Sequence, residues 1–171
     1  MQAPRLVATD VDGTLLDPDD RVTPRAAAVI DKVVAAGVGF VLVTGRPPRW
    51  IPPVTAQLGV ARLAVCANGG VLYDAVADEV LWIRALEPAA LAELSELATA
   101  TLPGCGLGVE RVEVGAGAFD DEASQFVAEP DYRHAWPGAD HQLAHRFELL
   151  ARPAVKVLVP GRLVVRASTA G

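Results

Sequence analysis

LVATDVDGTLLD, residues 6–17, decides how the rest of the chain is read. A short apolar run of Leu6, Val7 and Ala8 leads into Asp10, Val11, Asp12, Gly13 and Thr14, and the chain turns apolar again at Leu15 and Leu16. A run this short, valine-containing and apolar at successive positions, predicts a strand over residues 5–11 that is buried on both faces. A strand repeats every two residues, so Asp10 and Asp12 can face the same side at its carboxyl end. Two carboxylates placed together raise each other's proton affinity, and a divalent cation would relieve the repulsion. The cation would also let one carboxylate attack while the other moves a proton. Gly13 permits a tight turn whose amides can cradle an anion. By itself DVDG reads equally well as a calcium-type or Asx-turn loop, so the neighbouring segments must decide.

Those segments repeat the pattern. Thr23 followed by Pro24 marks a helix start, and the helix runs to Gly37. GFVLVTGRP is a second apolar strand, ending at Thr44, Gly45 and Arg46. A helix over 48–58 stops at Gly59, and RLAVCANGG supplies a third strand ending near Asn68 and Gly69. Strand–helix–strand–helix–strand predicts a parallel sheet with right-handed crossovers. All three strands end in polar groups, and open sheets of this kind bind ligands at their carboxyl edge. Thr44 offers a hydroxyl donor there, and Arg46 a fixed charge suited to phosphate or carboxylate.

After Gly70 the pattern becomes mixed α+β. VLYDAVADEVLWIRAL predicts a hairpin, and Glu87-Pro88 opens a helix. Residues 103–118 are glycine-rich with short strands, 120–138 polar and irregular, and 139–150 an amphipathic helix. PAVKVLV (153–159) and RLVVRAS (162–168) predict two further strands. This half reads as a smaller domain inserted after the third core strand.

Among 171 residues, 51% are apolar and 21% charged, with a formal charge of −6. That composition supports a real core and argues against nucleic acid or anionic membranes as partners. Cys66 and Cys105 lack metal-type spacing and read as reduced thiols of a cytoplasmic protein. No apolar run is long enough to span a bilayer.

The set DVDGTLLD, VLVTGRP and CANGG resembles the haloacid dehalogenase superfamily, specifically the Cof-like sugar-phosphate phosphatases with a C2B-type α/β cap after the third strand. The resemblance implies an α/β fold with a Rossmann-like, three-layer parallel core over residues 1–84 and an α+β cap over 85–171. It implies a Mg2+-dependent hydrolase of small phosphorylated metabolites, sugar phosphates among them, that works through an aspartyl-phosphate. Asp10 is then the nucleophile and Asp12 the acid/base. The Asp10 carboxylate and the Asp12 backbone carbonyl hold Mg2+, and Thr44 binds the transferring phosphoryl group. Gly13, Thr14, Gly45, Arg46, Asn68 and Gly69 surround the substrate. An aspartate at position 12 favours phosphate esters over haloacids.

Beyond the cap the family pattern supplies a lysine and a GDxxND-like acidic segment, and neither is found before RASTAG. The expectation is an incomplete core that lacks the post-cap segment. Its first strand becomes an exposed edge open to self-association, and its activity is weakened or lost. Lys156, inside PAVKVLV, reads as a cap residue rather than that lysine. Two other classes compete. One is a non-catalytic, association-dependent remnant. The other is a phospho-receiver domain, which would need an aspartate where CANGG stands.

The remaining motifs take blander readings. His141 and His145 have a zinc-compatible spacing but no third ligand, and read as a solvated helix face. Asp120, Asp121 and Glu122 read as a solvated loop. Trp50, Trp82 and Trp136 read as packing residues, although Trp50 directly follows TGRPPR. GLGVERVEVGAG does not join a strand to a helix as a dinucleotide fingerprint requires.

Overall fold

The computed structural model describes residues 4–116, 125–133 and 141–159. Three strands form the parallel part of the first sheet: β1 (Leu6–Asp10), β2 (Gly39–Val43) and β3 (Leu63–Cys66). Leu6 lies opposite Gly39 and Asp10 opposite Val43; Val41 lies opposite Leu63 and Val43 opposite Val65. This register brings the carboxyl ends of β1 and β2 level. The crossover is α1 (Pro24–Ala35), which begins as the sequence predicts. The Thr23 hydroxyl accepts from the Ala26 amide at 3.2 Å, Pro24 takes the first helical position, and the chain turns at Gly37 (φ +75°).

The hairpin also forms, as β4 (Val71–Asp74) and β5 (Glu79–Ile83), antiparallel to β3 and to each other. Asp74 closes its turn by accepting from the Val76 and Ala77 amides at 3.0 and 3.1 Å. After α3 (Pro88–Thr101) comes β6 (Gly108–Glu110). The next strand, β7 (Gly115–Ala116), pairs with β5, giving the first sheet the order β1-β2-β3-β4-β5-β7. A second sheet is built from β6, β8 (Phe126–Ala128), β9 (Gln142–Leu143) and β10 (Lys156–Leu158), in the order β10-β6-β8-β9. Its core joins Leu91 and Ala98 of α3 to Leu107, Val109, Val127 and Leu149, the last carried by α4 (Arg146–Leu150). The α/β class expected from the sequence is therefore the one observed.

Four expectations are corrected. Exposure alternates along β1, and Leu6 is 59% exposed, so the strand is not buried on both faces. Among the described residues its one sheet neighbour is β2, and it lies at the sheet's edge. The helix over 48–58 breaks into a 3-10 turn (Pro48–Trp50) and α2 (Pro52–Thr55), because its prolines have no amide to continue a helical ladder. Within the irregular stretch 120–138, Phe126–Ala128 is a fully buried strand. The helix over 139–150 begins only at Arg146. Gln142 and Leu143 pair with β8, and His145 is the extended cap whose amide donates to Glu148 at 2.8 Å. His141 and His145 therefore do not share a helical face. Trp136, Asp120, Asp121, Glu122 and the RLVVRAS strand lie outside the described residues.

Candidate active site

The three parallel strand ends open into one hollow of about 520 Å³, where Asp10, Thr44, Gly45 and Asn68 meet. Asp10 is the last residue of β1, and its Oδ2 accepts from the Thr14 hydroxyl at 3.2 Å. The intervening loop is set by apolar anchors. Val11, Leu15 and Leu16 are buried, and the Val11 carbonyl accepts from the amides of both leucines at 3.1 and 2.9 Å. Gly13 turns the chain at φ +73°, a region open to glycine at little strain. With its apolar neighbours pointing inward, Asp12 is left exposed at the loop's outer side.

Thr44 is buried. Its amide donates to the Val65 carbonyl at 2.9 Å, and its Oγ1 accepts from the Arg46 amide at 3.0 Å. A hydroxyl that accepts in this way still has its own proton to donate. The turn after β3 is pinned to the same loop. The Ala67 amide donates to the Arg46 carbonyl at 2.9 Å, and the Asn68 amide to the Thr44 carbonyl at 3.2 Å. These bonds hold Ala67 (φ +51°) and Asn68 (φ +57°) in the left-handed region, which asparagine tolerates and which strains alanine by about 1–2 kcal/mol. Gly45 lets the two loops close, because a Cβ there would lie 2.8 Å from Asn68 Oδ1.

A second hollow of about 490 Å³ adjoins the first across Gly45 and Asn68. Here Arg46 engages Asp12, from Nη2 to Oδ1 at 2.6 Å and from Nε to Oδ1 and Oδ2 at 3.0 and 3.1 Å. Its Nη2 also donates to Asp20 Oδ1 at 2.8 Å. Gln57 holds Asp20 in reach, accepting from the Val22 amide at 2.9 Å and donating to the Asp20 carbonyl at 3.2 Å. The hydrogen bond to Asp12 outweighs burial and pushes the Arg46 guanidinium above its usual value. Both carboxylates are exposed, so this arrangement orients more than it stabilises.

Of the residues expected from the sequence, Asp10, Thr44, Gly45 and Asn68 share the first hollow, and Asp12 and Arg46 the second. Gly13, Thr14 and Gly69 lie in the flanking turns. The sequence reading missed four residues that line the second hollow: Asp20, Arg49, Glu110 and Lys156. Lys156, read from the sequence as a cap residue, reaches from β10 to donate its Nζ to the Gly45 carbonyl at 3.0 Å. Arg49 and Glu110 form a two-pronged ion pair between the loop after β2 and β6. Their side chains are only 7% and 5% exposed. Burial pushes the Glu110 carboxyl up, against the opposing pull of Arg49, and pushes the Lys156 ammonium down. The available signals were a lysine within PAVKVLV and a glutamate ending the apolar run before it.

Among the described residues, no three His, Cys, Asp or Glu side chains cluster as a metal site. Mg2+ characteristically takes one or two carboxylates and completes its shell with water and phosphate oxygens. The Asp10 carboxylate and the Asp12 carbonyl are hard oxygen donors at one strand end, a donor set that suits this partial ligation.

A family model described as haloacid dehalogenase-like hydrolase matches residues 7–164. The chain is 41% identical over 70 residues to an HMP-PP phosphatase of Serratia proteamaculans, covering 41% of this chain and 26% of that protein. It is 38% identical over 77 residues to the pyridoxal phosphate phosphatase YbhA of Escherichia coli, covering 45% and 28%. The chain thus matches about a quarter of the length of these curated relatives. A crystal structure of a hypothetical protein from Geobacillus kaustophilus shares the fold, with a TM-score of 0.62 at 22% identity, over 92% of this chain and 57% of that one.

Proposed function

We propose, from the premise that this chain belongs to the haloacid dehalogenase-like hydrolase family, that it hydrolyses phosphomonoesters of small metabolites with Asp10 as nucleophile. The observation that carries this reading is the meeting of Asp10, Thr44 and Asn68 in one hollow at three adjacent strand ends. An Asp10 carboxylate oxygen attacks phosphorus, an aspartyl-phosphate forms, and the bond to the leaving alcohol breaks. Asp12 gives that alcohol its proton. Asp12 then takes a proton from the water that attacks the phosphorus and frees Asp10 and inorganic phosphate. The Thr44 hydroxyl donates to a phosphoryl oxygen, where negative charge must be balanced as the phosphoryl group transfers. Arg46 fixes the Asp12 carboxylate at the mouth of the site. The Asp10 carboxylate and the Asp12 carbonyl are the groups that would hold Mg2+, which when bound neutralises charge on the phosphate. The phosphatase relatives support a small phosphorylated substrate.

A second reading, association through the β1 edge, draws on the exposed Leu6 and β1's one sheet neighbour among the described residues. Specific activity that rises with protein concentration distinguishes it. The primary test is hydrolysis of p-nitrophenyl phosphate by the chain and by Asp10→Asn, with and without Mg2+. The reading requires activity that depends on both Mg2+ and Asp10. Undiminished hydrolysis by folded Asp10→Asn would overturn it.

A further inference from the structure

The second hollow has more chemistry than phosphoryl transfer needs. Its lining combines polar residues, Arg46, Asn68 and Lys156 among them, with the apolar Trp50, Phe126 and Leu158. Three cations border it, but two are committed. Arg46 is engaged by Asp12 and Asp20, and Arg49 by Glu110. Lys156 differs. Its ammonium has three N–H donors, and among the described residues it holds a single acceptor, the neutral carbonyl of Gly45. Glu110, the carboxylate whose charge it feels, is occupied by both arms of Arg49. A half-buried cation whose one hydrogen-bond partner is neutral is poorly compensated, and burial pushes the ammonium below its usual value.

We infer that Lys156 is a specificity-determining residue that recognises an anionic group, a carboxylate or a second phosphate, on the leaving group of the substrate. The inference rests on the phosphomonoesterase reading above and deepens it by naming the substrate class: phosphomonoesters whose leaving group carries a second negative charge. The geometry supplies the alignment. Gly45 borders both hollows, so a phosphoryl group beside Asp10 and Thr44 and a leaving group extending toward β10 occupy adjoining space. Lys156 Nζ, 3.0 Å from the Gly45 carbonyl, stands at that junction. A charge-assisted hydrogen bond to an oxyanion is stronger than the one to a neutral carbonyl, so the incoming anion is the preferred partner.

A matched pair of probes tests this: phenyl phosphate and 4-carboxyphenyl phosphate, which differ by one carboxylate. Their affinities for the Asp10→Asn chain are measured calorimetrically, and kcat and KM are measured on the unaltered chain. The expected result is a preference for the carboxylated ester of about tenfold, carried in Kd and KM rather than kcat. It falls to about onefold in Lys156→Gln and is retained in Lys156→Arg. Equal binding of both probes by the Lys156-containing chain overturns the inference without recourse to any variant, and so does a preference that survives in folded Lys156→Gln. If neither ester is hydrolysed, the phosphatase reading fails, while the calorimetric ratio still decides the role of Lys156.

Discussion

Glu110→Gln and Arg49→Met test whether the two sheets are joined as described, and they should not behave alike. The paired side chains are 5% and 7% exposed, so removing either partner leaves the other buried without its hydrogen-bonded counterion. Breaking a buried pair in this way costs about 3–5 kcal/mol. Glu110→Gln should reach that range at any pH near neutrality, because the stranded Arg49 guanidinium cannot shed its proton. Arg49→Met strands a carboxyl, which can. Burial already pushes Glu110 above its ordinary value of 4.5, and Arg49 pulls it back more strongly than Lys156 does. In Arg49→Met the folded state therefore keeps the Glu110 proton to higher pH than the unfolded chain, whose carboxyl has the ordinary value of 4.5. The folded state binds more protons, so stability must fall as pH rises through this window. The loss in Arg49→Met is therefore larger at pH 7 than at pH 5. Urea denaturation at the two pH values measures both variants. Equal losses for Arg49→Met at pH 5 and pH 7, or Glu110→Gln within about 0.5 kcal/mol of the parent chain, would show the pair to be solvated and the reasoning wrong.

Other substitutions separate chemistry from folding. Thr44→Val removes a phosphoryl donor together with the acceptor of the Arg46 amide, and should lower kcat by about 10²-fold in steady-state assays, while the backbone amide at 44 still bonds to Val65. Gly45→Ala places a Cβ 2.8 Å from Asn68 Oδ1 and should shift that side chain, cutting kcat/KM while a thermal melt stays cooperative. Arg46→Met should change stability by less than about 1 kcal/mol in urea titrations, because the carboxylates it contacts are exposed, yet it should reduce activity by freeing Asp12.

The parallel strands and their polar ends were legible because each is a local pattern: an apolar run, a cap or glycine, and a polar residue where the run stops. Thr23-Pro24 names the start of α1, and DVDG, TGR and ANG each mark the end of one strand. The second sheet was legible only in part: PAVKVLV contains β10 and the short strands expected in 103–118 include β6, whereas β8 and β9 were missed because strands of two or three residues exist by virtue of partners distant in sequence. Phe126–Ala128 is a strand through pairing with β6 and β9, and Gln142–Leu143 through pairing with β8, which shortens the expected helix to Arg146–Leu150. The same non-local pairing hid half of the candidate site. Lys156 and Glu110 lie opposite one another across β10 and β6, and only the placement of that pair beside the loop after β2 brings them to Gly45 and Arg49. A charged residue in a short apolar strand was the trace this arrangement left in the sequence.

The central claim, that Asp10 takes the phosphoryl group, is tested most directly by trapping it there. The chain is quenched in acid while turning over p-nitrophenyl phosphate with Mg2+, digested, and mapped by mass spectrometry. The predicted result is one phosphoryl group on the peptide containing Asp10, removable by hydroxylamine and missing from Asp10→Asn. Steady hydrolysis with the phosphoryl group on any other residue, or with none trapped at Asp10, would contradict it.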